Sequence, residues 1–107
     1  EFRTFWEIDI GEWDDVLATN LRGTYLGCRV IGAFLRERGA GRIINLASDA
    51  AFAASGGSGA HYAASKAGVV AVTRRAATEL APHGVTVNAT TKLITIAIGT
   101  LIAIGRM

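Results

Sequence analysis

The sequence predicts an α/β fold built on a parallel sheet, and three observations carry that expectation. A helical pattern from Glu12 to Arg38 gives way at Gly39-Ala40-Gly41 to an apolar run, Arg42-Ile43-Ile44-Asn45-Leu46-Ala47. A second helical pattern, Tyr62 to Leu80, gives way at Pro82-His83-Gly84 to Val85-Thr86-Val87-Asn88-Ala89. Both runs are near-continuous in apolar and β-branched residues, the mark of strands covered on both faces. The order helix, strand, helix, strand with short glycine turns repeats the αβ half of a βαβ unit, which implies parallel pairing.

The first helix rests on Trp13, Val16, Leu17, Leu21, Tyr25, Cys28, Ile31, Phe34 and Leu35, a 3.6-residue rhythm kept for more than twenty residues. Asp9 and Glu12 have capping-box spacing just ahead of it. Arg36, Arg38 and Gly39 close it, with cations in the last turn and a glycine beyond. Asn20 interrupts the apolar face. Its amide competes for backbone hydrogen bonds, so position alone reads first as a buried, satisfied side chain and second as a group that holds a water or another side chain at a site.

The Arg42–Ala47 run ends at Ser48 and Asp49, at the strand's carboxyl end, the edge where ligands bind in open α/β sheets. Residues 50–60 are almost all Ala, Gly and Ser. Gly56-Gly57-Ser58-Gly59 is not a phosphate loop, because no Gly-Lys-Ser/Thr follows; backbone freedom and close approach to a ligand explain it better. Tyr62 and Lys66 then open the second helix. Four residues are one turn plus about 40°, so the two side chains share a face. A cation within about 4–6 Å of a phenol favours its ionised form, and such a phenol can exchange a proton with a carbonyl or alcohol oxygen. Ser48 can hold the same oxygen by hydrogen bond. A hydride is still missing; side chains do not supply one, so a cofactor is required. His61 borders this site without an evident chemical role, and His83 fits an exposed helix C-terminus.

Composition narrows the classes further. The 107 residues suit a single domain at most. Half are hydrophobic and 19% charged, which argues against disorder. The formal net charge of +2 comes from scattered basic residues with no aromatic interleaving, so nucleic acid is not an expected partner. Cys28 is the single cysteine: no internal disulfide and no metal spacing, as in a reducing cytoplasm. The tail from Lys92 to Ile104 alternates at Ile94, Ile96 and Ile98 and reads as an added strand or a sticky end. It is too short for a membrane span, which needs roughly 20 apolar residues. The first residues show no signal-peptide pattern and no initiating Met, so the chain is expected to begin inside a longer protein.

Taken together, Trp13 to Gly23, Gly41 to Ser48, Tyr62 to Gly68 and Gly84 to Ala89 resemble the short-chain dehydrogenase/reductase family in order and spacing, over residues 12–89. The resemblance implies a partial Rossmann-like, doubly wound parallel sheet whose N-terminal half is absent, in one partial domain over 1–107 with an atypical tail at 90–107. It implies that Tyr62 is the catalytic acid/base and that Lys66 eases the tyrosine's proton loss. Lys66 would also bind the ribose of NAD or NADP. Ser48 would orient the substrate carbonyl, and Asn20 would hold a water in the proton relay. The implied partners are a small carbonyl or alcohol substrate and further copies of the chain, paired through helices 12–38 and 62–81. Neither a metal nor a membrane is implied. Three departures stand out: one extra residue between Ser48 and Tyr62, no glycine-rich dinucleotide turn, and Thr90-Thr91-Lys92 where the family runs into Pro-Gly. They keep open the alternative of an inactive fragment or helix-pairing module that binds no cofactor. A Ser48 hydrolase is the most distant reading, since no Gly-x-Ser-x-Gly elbow is present.

Overall fold

A computed structural model describes residues 4–52, 58–95 and 101–106, the last strand and residues 91–95 by their backbone. The order is α1 (Ile10–Leu17), a π-helical turn (Ala18–Arg22), α2 (Gly23–Arg38), β1 (Gly41–Leu46), a 3₁₀ turn (Asp49–Ala51), α3 (Ala60–Leu80), a 3₁₀ turn (Ala81–His83), β2 (Val85–Thr95) and β3 (Leu101–Arg106). The strand order is β1-β2-β3. β1 and β2 pair in parallel, from Gly41↔Val85 to Leu46↔Thr90, as the helix–strand repeat predicts. β3 runs antiparallel to β2, so the tail adds a strand of the opposite sense. Residues 53–57 of the Ala/Gly/Ser loop, and the alternation at Ile96 and Ile98, lie outside the described residues.

The first helix begins at Ile10, two residues ahead of the Glu12 start that the pattern gives. Asp9 Oδ1 accepts from Glu12 N at 2.9 Å and caps it; such a cap contributes about 1 kcal/mol. The same helix is not uniformly α. Across Ala18–Arg22 it widens into a π turn, in which Gly23 N–H reaches back five residues to Ala18 O. Thr24 Oγ1 donates to the Asn20 carbonyl at 2.7 Å, so a side chain supplies a bond at the place where the α ladder is broken.

The described helices pack on one face of the sheet. Val85, Val87 and Ala89 of β2 are buried beneath α3, together with Val69 and Val70 of that helix. The other face of β1 is open among the described residues: Ile44 is 43% and Leu46 50% exposed. Both αβ turns use glycine in the left-handed region, Gly39 at φ 78° and Gly84 at φ 79°, which only a residue without Cβ adopts at no cost. The helix rhythm also divides. Cys28 and Gly32 are buried, whereas Tyr25, Ile31 and Phe34 are exposed, so the apolar surface of α2 is wider than the fold beneath it uses.

Candidate functional site

α1–α2 and α3 lie side by side with the same sense. Close approach is possible where glycine meets leucine: a Cβ on Gly68 would stand 2.7 Å from Leu21 Cδ2, and one on Gly32 would stand 3.2 Å from Leu80 Cδ1. A polar seam runs along the same helix pair. His61 Nε2 lies 3.8 Å from Glu12 Oε2. Asn20 Nδ2 donates to Ser65 Oγ at 3.1 Å, and Ser65 Oγ donates to the Tyr62 carbonyl at 2.7 Å. Further along, Asn45 Nδ2 of β1 donates to Thr73 Oγ1 at 2.9 Å and lies 3.4 Å from Cys28 Sγ, while Thr73 Oγ1 donates to Val69 O at 2.7 Å. The buried polar groups of the seam are thus nearly all partnered, as burial demands. His61 Nδ1 is the exception among the described residues.

Tyr62 and Lys66 sit one residue round from this seam, on the neighbouring face of α3. Lys66 Nζ is 5.8 Å from the centre of the Tyr62 ring, within reach of a cation–π contact. Lys66 Nζ also donates to Leu46 O at 3.1 Å. This bond ties the opening turn of α3 to the carboxyl end of β1, the edge expected to bind ligand. Beyond Leu46, Ala47 N still reaches Thr90 O at 2.8 Å, and the chain then leaves the sheet at Ser48. Ser48 Oγ accepts from Ala50 N at 3.1 Å and caps the 3₁₀ turn. With its lone pair engaged, the Ser48 hydroxyl still has a proton to donate, and no acceptor for it lies among the described residues.

The structure therefore gathers Tyr62, Lys66 and the β1 end that carries Ser48. It brings Asn20 to the same helix turn, bonded to Ser65 and not to Lys66. Ser65, Asn45 and the pairing of His61 with Glu12 are what the linear pattern did not single out; it marks His61 only as a border of the site and Glu12 only as part of a helix cap. Of these, Asn45 left a signal, as the one amide within the Arg42–Ala47 run. No group of three metal-ligating side chains occurs among the described residues, and no helix there is long and apolar enough to cross a membrane.

Two strands in parallel with two helices packed against them, and a Tyr/Lys pair at the strands' carboxyl edge, define a portion of a Rossmann-like α/β fold. A family model described as short chain dehydrogenase matches residues 1–95, and the chain belongs to that family. It is 47% identical over 78 residues to the short-chain reductase protein NovJ of Streptomyces niveus, covering 73% of this chain and 29% of that protein. It is 49% identical over 80 residues to the 3-oxoacyl-[acyl-carrier-protein] reductase FabG of Staphylococcus epidermidis, covering 73% and 32%. The crystal structure of a 3-oxoacyl-[acyl-carrier protein] reductase with bound NAD from Brucella melitensis superposes with a TM-score of 0.80 at 33% identity, over 84% of this chain and 34% of that one. The chain thus spans about a third of the length of these relatives.

Proposed function

We propose that this chain is the proton-transfer portion of a cytoplasmic, NAD(P)-dependent oxidoreductase that interconverts a carbonyl and a secondary alcohol. The observation that supports this most directly is the Lys66 ammonium, held by the last carbonyl of β1 and lying against the Tyr62 ring. In reduction, the Tyr62 phenol gives its proton to the carbonyl oxygen as that oxygen gains negative charge; in oxidation it takes the proton back. The Ser48 hydroxyl, already anchored as an acceptor, donates to the same oxygen and fixes its direction. Asn20 holds a water on the proton path to Lys66, its carbonyl keeping a second lone pair beside the Thr24 bond.

When bound, a nicotinamide supplies the hydride that no side chain provides. The residues present fit such a group on one side. Lys66 uses one N–H on Leu46 O and has others to offer a ribose diol. A glycine-rich turn for the pyrophosphate is not found in this sequence. The 107-residue chain by itself is therefore expected to bind NADH or NADPH only weakly, and Lys66→Ala to remove that binding. A fluorescence titration checks this. A signal that does not saturate for either cofactor, in the chain and in a complete enzyme containing it, would favour the reading as a helix-pairing module.

That second reading draws on the α2 surface. Val30 is 66%, Ile31 51% and Phe34 60% exposed, and a groove of about 590 Å³ opens between α2 and α3, lined by Tyr25, Arg29, Arg36, Val72, Arg75 and Glu79. None of Asn20, Ser48, Tyr62 and Lys66 lines it. Association between copies through these helices covers the apolar strip and is compatible with catalysis at the far turn of α3. Sedimentation is expected to show oligomers that Phe34→Glu dissociates by at least about tenfold in Kd, the scale of a well-packed interface residue. A monodisperse monomer from the unaltered chain would reject the interface.

A further inference from the structure

Tyr62 lies between two residues that face the first helix. His61 precedes it and stands opposite Glu12, 3.8 Å away. Ser65 follows three positions later and is wholly buried. A serine that bonds to a carbonyl of its own preceding turn is common in helices and signifies packing alone. Ser65 does more, because the hydroxyl that donates to Tyr62 O also receives the Asn20 amide from across the helix pair, 45 residues away in sequence. Asn20 sits inside the π turn, where the Thr24 hydroxyl donates to its backbone carbonyl as well. On the same face of α3, Gly68 accepts Leu21 in the space of its missing Cβ. The turn carrying Tyr62 and Lys66 is therefore gripped at 61, 65 and 68, while those two side chains remain on the adjacent, half-buried face.

We propose that Ser65 is a positioning residue for Tyr62 and Lys66: it passes the location of the π turn to the backbone of the opening turn of α3. The inference rests on the proposed proton-transfer role of Tyr62 and adds to it a residue that touches neither substrate nor cofactor. Its single hydroxyl is at once acceptor and donor, so removing it leaves the Asn20 amide without this acceptor and takes from the Tyr62 carbonyl the bond it has beyond the helix ladder. The consequence falls on alignment, where a displacement of about 1 Å can cost on the order of a hundredfold in rate.

The test compares Ser65→Ala, Ser65→Cys and Ser65→Thr in a complete enzyme containing this chain, with amide exchange followed in the 107-residue chain. Ser65→Ala is expected to lower kcat by about tenfold to a hundredfold with KM changed less than about twofold, and to speed exchange about tenfold at residues 62–66 but not along the rest of α3. Ser65→Thr, which keeps the hydroxyl, is expected to restore both. Parental kcat in Ser65→Ala, or an equal loss in Ser65→Thr, overturns the assignment. Should Ser65→Ala not fold, Ser65→Cys decides: its weaker donor is expected to give an intermediate loss, and parental kcat again overturns the claim. Thr78→Ala, which removes an exposed bond to Arg74 O, is the unaffected control. Tyr62→Phe measured alongside separates the two proposals. If it leaves reduction intact, the proton-transfer reading falls; if it abolishes reduction while Ser65→Ala is silent, the positioning role alone falls.

Discussion

Replacing Tyr62 by Phe is expected to lower carbonyl reduction by about 10² to 10⁴-fold, the usual contribution of a positioned acid/base, while leaving the fold intact. The substitution removes one oxygen from a half-buried ring. The ring's contact with the Lys66 ammonium, 5.8 Å from its centre, needs no hydroxyl, and the Ser65 bond engages the Tyr62 backbone, not its side chain. Neither Lys66 on Leu46 O nor the Asn20–Ser65 pair should move. Steady-state rates beside a thermal unfolding curve measure both halves of this expectation. A tenfold fall or less would mean that the phenolic proton is dispensable, and water or Ser48 would have to be considered the donor.

Gly84→Ala should be the most damaging small substitution in the framework, costing about 2–4 kcal/mol of stability by urea denaturation. Two costs coincide there. Its φ of 79° is left-handed, a conformation that costs a residue with Cβ about 1–2 kcal/mol. The new Cβ would also meet the Gly39 carbonyl, and backbone of a neighbouring turn cannot swing aside as a leucine tip can. Gly27→Ala is the contrasting case. That position is an exposed α2 residue with nothing within 4 Å of the added carbon, and alanine there should stabilise by about 0.5–1 kcal/mol. Comparable losses at the two sites would show that the contact between the two turns does not hold the fold together.

Much of the architecture is legible because its punctuation is local. Asp9 with Glu12, Gly39 and Gly84 mark ends that depend on residues within a turn of one another, and all three do that work in the structure. Tyr62 and Lys66 could be paired from spacing alone, and Ser48 from its place after an apolar run. What the linear pattern conceals is set by partners far away. Ile31 and Phe34 count towards the helix rhythm as well as Leu35 does, yet they face outward, since periodicity reports apolar faces without saying what covers them. Ile44 and Leu46 likewise belong to a run suited to burial on both sides, while the helices described pack on one. His61 reads as a border residue but is only 5% exposed, because α1 comes to lie over it. Ser65 is one small residue among many until Asn20 arrives from another helix.

The π turn has a consequence for what this stretch can lose or gain. Glu12, Asn20 and Cys28 follow one another at intervals of eight residues, which overshoot two α-helical turns by about 80° each; the wider turn at Ala18–Arg22 absorbs much of that excess and keeps all three on the seam. The π turn therefore accommodates one residue more than a regular helix would need between the same seam contacts. Substitutions at Ala18 or Thr19, both exposed, leave the count unchanged. A single deletion within Ala18–Arg22 would let the helix return to regular α geometry, and because the lost residue removes about 100° while the lost π turn restores about as much, the two halves would stay in phase. Such a deletion would keep the seam and forfeit the break itself, where the Asn20 backbone carbonyl takes the Thr24 hydroxyl.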